Sequence, residues 1–387
     1  MRATKSAASA LAITAACAIT APIFHHVPLH DFVEYWTAAH VLITGHNPYS
    51  VGEVMGSQQA MGWSEHQPLM VMSPPHFLPL LIPLGLMHSY VLARLFWWSL
   101  SVAILVFATS SLWHLYGGDV GRGWIPLCVA AMFFPVWHCL AVGQIGPLLL
   151  LGIVGFLWLE KRGHLLMSGG ALALTSFKPH LFYLLWLALL LWSVQRREMR
   201  VVFGASVTIS LGLVAAIAID PGALSQYLSL VRSGYVWEYS SGVGGVLRSW
   251  LAPQSHLLQF VPMLPGLLAL AIYWCKYRVD WNWRDRLPMV LTLSVLTAAY
   301  GWPFDEVVLL VPVLMIAAGS IYDGRKLRTF VWWLVAMFVA SLAVVLRYGD
   351  AGGMTVCATG VVAYLVFDSV LVRKPVTEAE QDTLLPA

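Results

Sequence analysis

Long apolar stretches separated by short polar segments dominate the chain. A helix needs about 20 apolar residues to cross about 30 Å of hydrocarbon, so such stretches predict membrane helices. The run at Leu165–Val194 is interrupted at Lys178–Pro179–His180 and predicts a hairpin. The pattern predicts about twelve crossings: Ala7–Phe24, Val91–Tyr116, Trp124–Val142, Ile145–Leu159, two within Leu165–Val194, Val201–Ile219, Leu257–Trp274, Leu287–Tyr300, Val307–Ile321, Phe330–Leu346 and Val356–Leu371.

The stretch Ser73–Met87 is apolar but contains four prolines in fifteen residues. It is too short for a full crossing, and it predicts a juxtamembrane or re-entrant segment packed against protein, where irregular backbone is tolerated. A rival count makes this stretch a crossing and leaves Leu165–Val194 unbroken, which moves the basic segment Glu160–His164 outside the cell. The positive-inside rule favours the first count.

The composition supports the membrane prediction. Hydrophobic residues make up 59% of the 387-residue chain and charged residues only 11%, whereas a soluble domain carries about 25% charged residues. This shortage of charge excludes an ordinary cytosolic enzyme, a disordered chain and a nucleic-acid-binding domain. The predicted fold class is therefore an all-α polytopic membrane protein.

Basic clusters orient the chain. An even number of apolar segments lies between successive clusters, so the positive-inside rule places all four clusters, and both termini, in the cytoplasm: 195–200, 276–286, 324–328 and 373–374. We expect one integral membrane domain over 1–387 in a plasma or inner membrane. Its predicted parts are a signal-anchor helix (7–24), an extracytoplasmic loop (25–90), core helices (91–219), a second outer loop (220–256), C-terminal helices (257–372) and a cytoplasmic tail (373–387).

Unusual polar residues collect on the extracytoplasmic side of this topology. Ionisable residues at membrane depth are costly and are functional candidates by default. Asp31 also suits the N-cap of a helix over Phe32–Ile43, and Glu34 suits that helix's first turn. Glu34 and Tyr35 follow Asp31 by three and four residues, so they can share its face. Asp305 likewise has the spacing of a helix N-cap.

Two basic residues suit a phosphate site. Lys178 stands beside a helix break, where a point charge meets unpaired backbone donors, although a snorkelling Lys at the interface fits equally well. Arg248 follows a Ser/Gly-rich stretch and can bind an anion bidentately, or it is an interfacial Arg. Gln144 lies at a turn between apolar helices, where it can bind a hydroxyl-rich ligand or cap the turn. His26 and His30 flank Pro28, so we predict no metal site.

Several motifs, taken in order, resemble glycosyltransferase family 87. They are D-F-x-x-Y-W from Asp31, G-x-N-P-Y ending at Tyr49, a Pro-Pro pair opening an apolar stretch, Gly143–Gln144, Lys178–Pro179, the Ser/Gly-rich stretch ending in Arg248, and Y-G-W-x-x-D at Tyr300–Asp305. The family contains polyprenol-phosphate-mannose-dependent α-mannosyltransferases with the GT-C fold, so the resemblance implies that fold, with juxtamembrane helices in the first loop.

The resemblance implies roles for particular residues. Asp31 is the expected general base, and no cofactor or metal is expected. The donor, a polyprenyl-phosphate sugar, would contact Lys178, Arg248 and His180 through its phosphate. The acceptor would be a glycan or glycolipid, and the lipid bilayer is the remaining partner. Substrate binding is expected at the following residues: Glu34, Tyr35, Tyr49, Gln144, Trp302 and Asp305.

Two alternative functions stay open at this stage. A transporter or flippase of a lipid-linked or anionic solute would use Lys178 and Arg248 along its path, and inverted repeats with paired broken helices would be expected. The sequence contains one broken run and no matching partner. A family member that has lost activity and serves as a scaffold is the other alternative.

Overall fold

The computed structural model describes residues 31–234, 240–348 and 354–367, and every regular element within these ranges is a helix. Short 3-10 turns join several of them. The α-helices are α1 (Phe32–Ile43), α2 (Val51–Ala60), α3 (Leu78–Gly85), α4 (Tyr90–Leu115), α5 (Ile125–Met132), α6 (Phe134–Val142), α7 (Gly146–Lys161), α8 (Leu165–Leu172), α9 (Tyr183–Arg196), α10 (Arg200–Ile219), α11 (Ala223–Arg232), α12 (Val243–Leu251), α13 (Met263–Tyr277), α14 (Trp283–Leu296), α15 (Leu310–Ser320), α16 (Gly324–Tyr348) and α17 (Met354–Phe367).

The apolar helices agree with a polytopic membrane protein. Within the described residues, five helical segments are long and apolar enough to cross a membrane, or six if one bent pair is a single span. Three shorter apolar helices accompany them. The count of about twelve crossings therefore stays a prediction. The predicted signal anchor at 7–24 and the tail at 373–387 lie outside the described residues.

The predicted break at Lys178 is confirmed. The chain leaves α8 through a 3-10 turn at Ala173–Phe177, and a second 3-10 turn at Pro179–Phe182 leads into α9. Lys178 between them has φ −130° and ψ 68°, which is not helical. Proline disfavours helical backbone at the residue before it, so Pro179 accounts for the break.

A second break was not predicted. The sequence suggests one helix over Trp124–Val142, but α5 and α6 meet at an angle of 71°. Pro135 lies in the first turn of α6, where its missing N–H costs nothing, whereas inside a continuous helix it would remove a hydrogen bond. The Ser73–Met87 segment is as short as expected, with a 3-10 turn at Pro75–Phe77 followed by α3.

Close helix packing holds the bundle together. Helices α8 and α10 approach so closely that a Cβ added at Gly169 would lie 1.9 Å from the Val201 carbonyl oxygen, and one at Gly204 would lie 2.0 Å from that of Leu166. Small residues allow backbones to approach in this way in membrane bundles. Helix α1 packs on α3, where a Cβ at Gly85 would lie 2.7 Å from the Ala39 carbonyl oxygen. Both helices belong to the first loop, and the 3-10 turn Pro75–Phe77 of the same loop packs on α10, which fixes the loop against the bundle.

Candidate functional site

Asp31 immediately precedes α1, whose bounds agree with the predicted Phe32–Ile43. The prediction that Asp31 caps this helix is wrong, because its side chain makes no capping hydrogen bond and its backbone is already helical, with φ −78° and ψ −23°. Its backbone N–H donates instead to the Val142 carbonyl at the end of α6, at 3.1 Å. The start of α1 is therefore tied to the turn that carries Gln144.

The turn after α6 depends on Gly143. This residue has φ +78°, a left-handed conformation that glycine adopts without steric cost. A Cβ at Gly143 would lie only 2.8 Å from the Cβ of Phe32. The Gly143 carbonyl accepts a 2.7 Å hydrogen bond from Trp97 Nε1. The turn is thus held against α1 and α4, and it directs Gln144 toward Asp31.

Gln144 is the centre of a hydrogen-bond network. Its Nε2 donates to Asp31 Oδ2 at 2.6 Å, while its Oε1 accepts from the Tyr35 hydroxyl at 2.7 Å and from Lys178 Nζ at 2.9 Å. Because two donors meet the carbonyl oxygen, the amide must present its NH₂ group to the carboxylate. The three neighbours therefore define the orientation of Gln144, and Gln144 in turn holds Asp31.

Lys178 also forms an ion pair with Asp305, with Nζ 2.7 Å from Oδ1. The Lys178 side chain is 14% exposed and that of Asp305 is 1% exposed, so the pair is buried. Asp305 Oδ2 accepts from the Trp302 backbone N–H at 3.1 Å. The Asp305 side chain therefore caps the first turn of the 3-10 helix Pro303–Leu309, to which Asp305 itself belongs. Asp305 was predicted to be the N-cap residue, but the N-cap residue is Trp302.

Glu34 lies half-buried beside this network. The charges of Asp31, Lys178 and Asp305 act on its carboxyl. Burial raises the pKa of Glu34 to about 8, and the negative charge of Asp31 contributes to the same increase. The Glu34 carboxyl is therefore mostly protonated at neutral pH, whereas the dipole argument from the sequence assumed a charged acid.

Arg248 and His180 form a neighbouring cluster around Tyr300. Arg248, in α12, donates from Nη1 to Gln259 Oε1 at 3.1 Å and from Nε to the Pro253 carbonyl at 2.9 Å. Its charge acts on Tyr300, whose ring packs edge-on against that of His180, with the ring centroids 5.9 Å apart. His180 is two residues from Lys178, so the two clusters adjoin at the break before α9.

Two further predicted substrate contacts pack on aromatic neighbours. The Tyr49 hydroxyl donates to the Ser73 carbonyl at 3.1 Å, and its ring packs edge-on against Tyr227. Tyr49 thus supports the first loop. The Trp302 ring stacks on that of Phe304, with centroids 6.1 Å apart, and Phe304 in turn lies 5.0 Å from Lys178 Nζ.

The sequence indicated the residues of this site but not which of them contact each other. Asp31 and Gln144 are 113 positions apart, and Lys178 and Asp305 are 127 apart. No periodicity or spacing relates residues at such separations. Within the described residues, no group of three or more His, Cys, Asp or Glu side chains could hold a metal ion.

The fold and this buried polar network define an all-helical polytopic membrane protein with ionisable groups gathered at one site. The model of glycosyltransferase family 87 matches residues 72–312, more than half of the chain. The chain belongs to this family and is a membrane glycosyltransferase, which decides against the transporter alternative. No curated protein and no solved structure matches it. The matched range contains Gln144, Lys178, Arg248 and Asp305, whereas Asp31 precedes it.

Proposed function

We propose that the protein transfers mannose from a polyprenyl-phosphate donor to an acceptor hydroxyl on the extracytoplasmic face, with Asp31 as the general base. The observation that carries this proposal is the 2.6 Å hydrogen bond from Gln144 Nε2 to Asp31 Oδ2. It orients one carboxylate at the edge of an otherwise buried network. A base that deprotonates a hydroxyl needs such positioning before its pKa matters.

The proposed reaction is a single displacement. The acceptor oxygen forms a bond to the anomeric carbon of the sugar as its proton passes to Asp31. The bond from the anomeric carbon to the phosphate oxygen breaks, and polyprenyl phosphate leaves with the electron pair. The anomeric configuration is inverted because attack and departure occur on opposite faces.

The leaving phosphate requires donors and positive charge. Lys178 has three N–H groups, two of which donate to Gln144 and Asp305. The third has no protein acceptor among the described residues, and we assign it to a phosphate oxygen. Asp305 neutralises much of the Lys178 charge, so Lys178 acts mainly as a directed donor. Arg248, with His180 nearby, is proposed to supply the balancing positive charge.

The remaining expected contacts divide into two roles. Trp302 presents an aromatic ring next to the network and is proposed to pack on the sugar. Tyr35 and Gln144 use their polar atoms on protein neighbours, so we propose that they position Asp31 rather than bind substrate. Tyr49 is proposed to stabilise the loop that encloses the site.

The test compares Asp31→Asn with wild-type protein in membranes supplied with polyprenyl-phosphate mannose that carries a label in its mannose. Transfer of label to membrane acceptors and release of polyprenyl phosphate are both measured. Since general-base catalysis contributes about 10²- to 10⁴-fold, the variant should lose at least about 100-fold in rate. Asp280→Asn, which changes an exposed carboxylate, is the control. A near wild-type rate for Asp31→Asn would refute the assignment of Asp31 as the base. If the wild-type protein does not consume the supplied polyprenyl-phosphate mannose, the proposed donor is wrong.

A further inference from the structure

A groove lies between the C-terminal ends of α9 and α13, at the end of α9 that is opposite the break at Lys178. It has a volume of about 330 Å³ and is lined by four apolar and two polar side chains: Leu190, Leu191, Val194, Trp274, Gln195 and Arg278. Leu190 and Val194 are exposed, and α13 belongs to a helical segment that is long and apolar enough to cross a membrane. The apolar part of the groove therefore faces lipid.

Two hydrogen bonds fix the polar end of the groove. Gln195 Nε2 donates to the Arg278 carbonyl at 3.0 Å, and Arg196 Nη2 donates to the Val279 carbonyl at 2.8 Å. Both bonds join the end of α9 to the chain that follows α13. The groove is therefore built into the packing of these two helices.

Positive charge surrounds the polar end of the groove. Two of the basic clusters meet there, 195–200 and 276–286, and together they contain seven Lys or Arg and three Asp or Glu. Among the described residues, the one ion pair within these clusters joins Arg200 to Glu198. Arg278 is exposed, and its guanidinium has no hydrogen-bond or ion-pair partner in the described parts of the chain. An anion can therefore bind Arg278 without displacing a protein partner.

Arg197 adds charge at a backbone position that favours glycine. It follows the last residue of α9 with φ +56°, and it is the single non-glycine residue with positive φ among the described residues. The next N–H, of Glu198, donates to the Ser193 carbonyl at 2.9 Å, which is the helix-ending arrangement in which glycine is usual. A side chain with a Cβ costs stability in this conformation. The basic side chain is thus present at the expense of local stability.

We propose that the groove binds an anionic phospholipid of the leaflet on this face, with an acyl chain along the apolar walls and the headgroup phosphate at Arg278 and Arg197. The positive-inside rule predicts this face to be cytoplasmic. Basic pockets between membrane helices on that side suit anionic headgroups, and a guanidinium matches the geometry of phosphate oxygens. Helix α9 is 14 residues long, roughly 20 Å, so this lipid is distinct from the sugar donor proposed to bind at Lys178.

The test measures lipid binding to the purified full-length protein in a non-ionic detergent by native mass spectrometry. Dioleoyl phosphatidylglycerol is compared with dioleoyl phosphatidylcholine, which has the same chains and no net charge. A basic residue near an anionic lipid contributes about fivefold in affinity. Arg278→Gln should therefore weaken phosphatidylglycerol binding by about fivefold and leave phosphatidylcholine unchanged. Arg328→Gln, which changes an exposed Arg of another predicted cytoplasmic cluster, is the matched control.

Arg197→Gly separates binding from folding. Glycine adopts positive φ without steric cost, so this variant should unfold at a higher temperature than wild-type protein. It should nevertheless bind phosphatidylglycerol about fivefold more weakly. A merely structural role of Arg197 cannot produce these two opposite changes.

Three outcomes would overturn the proposal: equal affinity for the two lipids, equal losses in Arg278→Gln and Arg328→Gln, or unchanged phosphatidylglycerol binding in Arg197→Gly. Inorganic phosphate, which has no acyl chain, should not displace the lipid. If it does so at the lipid's own concentration, the site binds free phosphate and the assignment to a lipid is wrong. Should Arg278→Gln fail to accumulate in membranes, Arg197→Gly decides the matter.

Discussion

Removing the charge of Asp305 should destabilise the protein strongly. Its Oδ1 lies 2.7 Å from Lys178 Nζ, and the two side chains are 1% and 14% exposed. At an effective dielectric constant near 20, the direct attraction at this distance is roughly 6 kcal/mol. Desolvation offsets part of it. Breaking a buried pair by removing one partner nevertheless costs about 3–5 kcal/mol, because the remaining charge is left uncompensated.

Asp305→Asn isolates this effect, since it preserves the size of the side chain. The free energy of unfolding should fall by about 3 kcal/mol or more, measured by denaturant titration of the purified protein in detergent micelles. Lys178→Met combined with Asp305→Asn should recover part of the loss, because no unpaired charge remains. Coupling between the two substitutions should be about 1–3 kcal/mol.

An exposed ion pair supplies the matched control. Arg122 Nε lies 3.3 Å from Asp119 Oδ2, with side chains 54% and 38% exposed. Exposed pairs contribute about 0–1 kcal/mol, so Arg122→Gln should barely change stability. The argument from burial is wrong if Asp305→Asn is no more destabilising than Arg122→Gln. It is also wrong if the double variant loses as much stability as Lys178→Met and Asp305→Asn lose separately when their losses are added.

Two glycine substitutions test the packing around the site. Gly143→Ala places a Cβ at φ +78° and 2.8 Å from the Cβ of Phe32 in α1. It should lower the free energy of unfolding by about 2 kcal/mol or more and lower the transfer rate by displacing Gln144. The control Gly62→Ala, at φ +92° with nothing within 4 Å, should lower stability and leave the transfer rate unchanged. Equal rates in these two variants would contradict the role of the turn. Gly204→Ala should separate α8 from α10 and cost about 1–3 kcal/mol in the same unfolding assay, while Gly319→Ala, with nothing within 4 Å, should be neutral or stabilising by up to about 1 kcal/mol; similar values for both would show that the helices adjust.

Some structural features follow from the sequence because their causes are local. Hydropathy predicted the membrane class, the first loop contained an amphipathic segment with the bounds of α1, and Pro179 predicted the break at Lys178. The second break, between α5 and α6, had a comparable local signal in Pro135, yet the surrounding apolar residues suggested one continuous helix. A proline within an apolar run permits a break but does not specify its angle.

The side-chain pairing of the site was decided by tertiary structure. From the residues alone, Asp31 and Asp305 each suited a helix cap, and Lys178 suited a phosphate site and a snorkelling Lys equally well; only the family resemblance indicated Asp31 as the base. Folding places Asp31 on Gln144 and Lys178 on Asp305 instead, because a buried charge must find a partner in an apolar bundle. Which partner it finds depends on helix packing between segments more than a hundred residues apart. The sequence alone therefore identified the candidate residues and the family, and the packing of the helices determined which of them form one network.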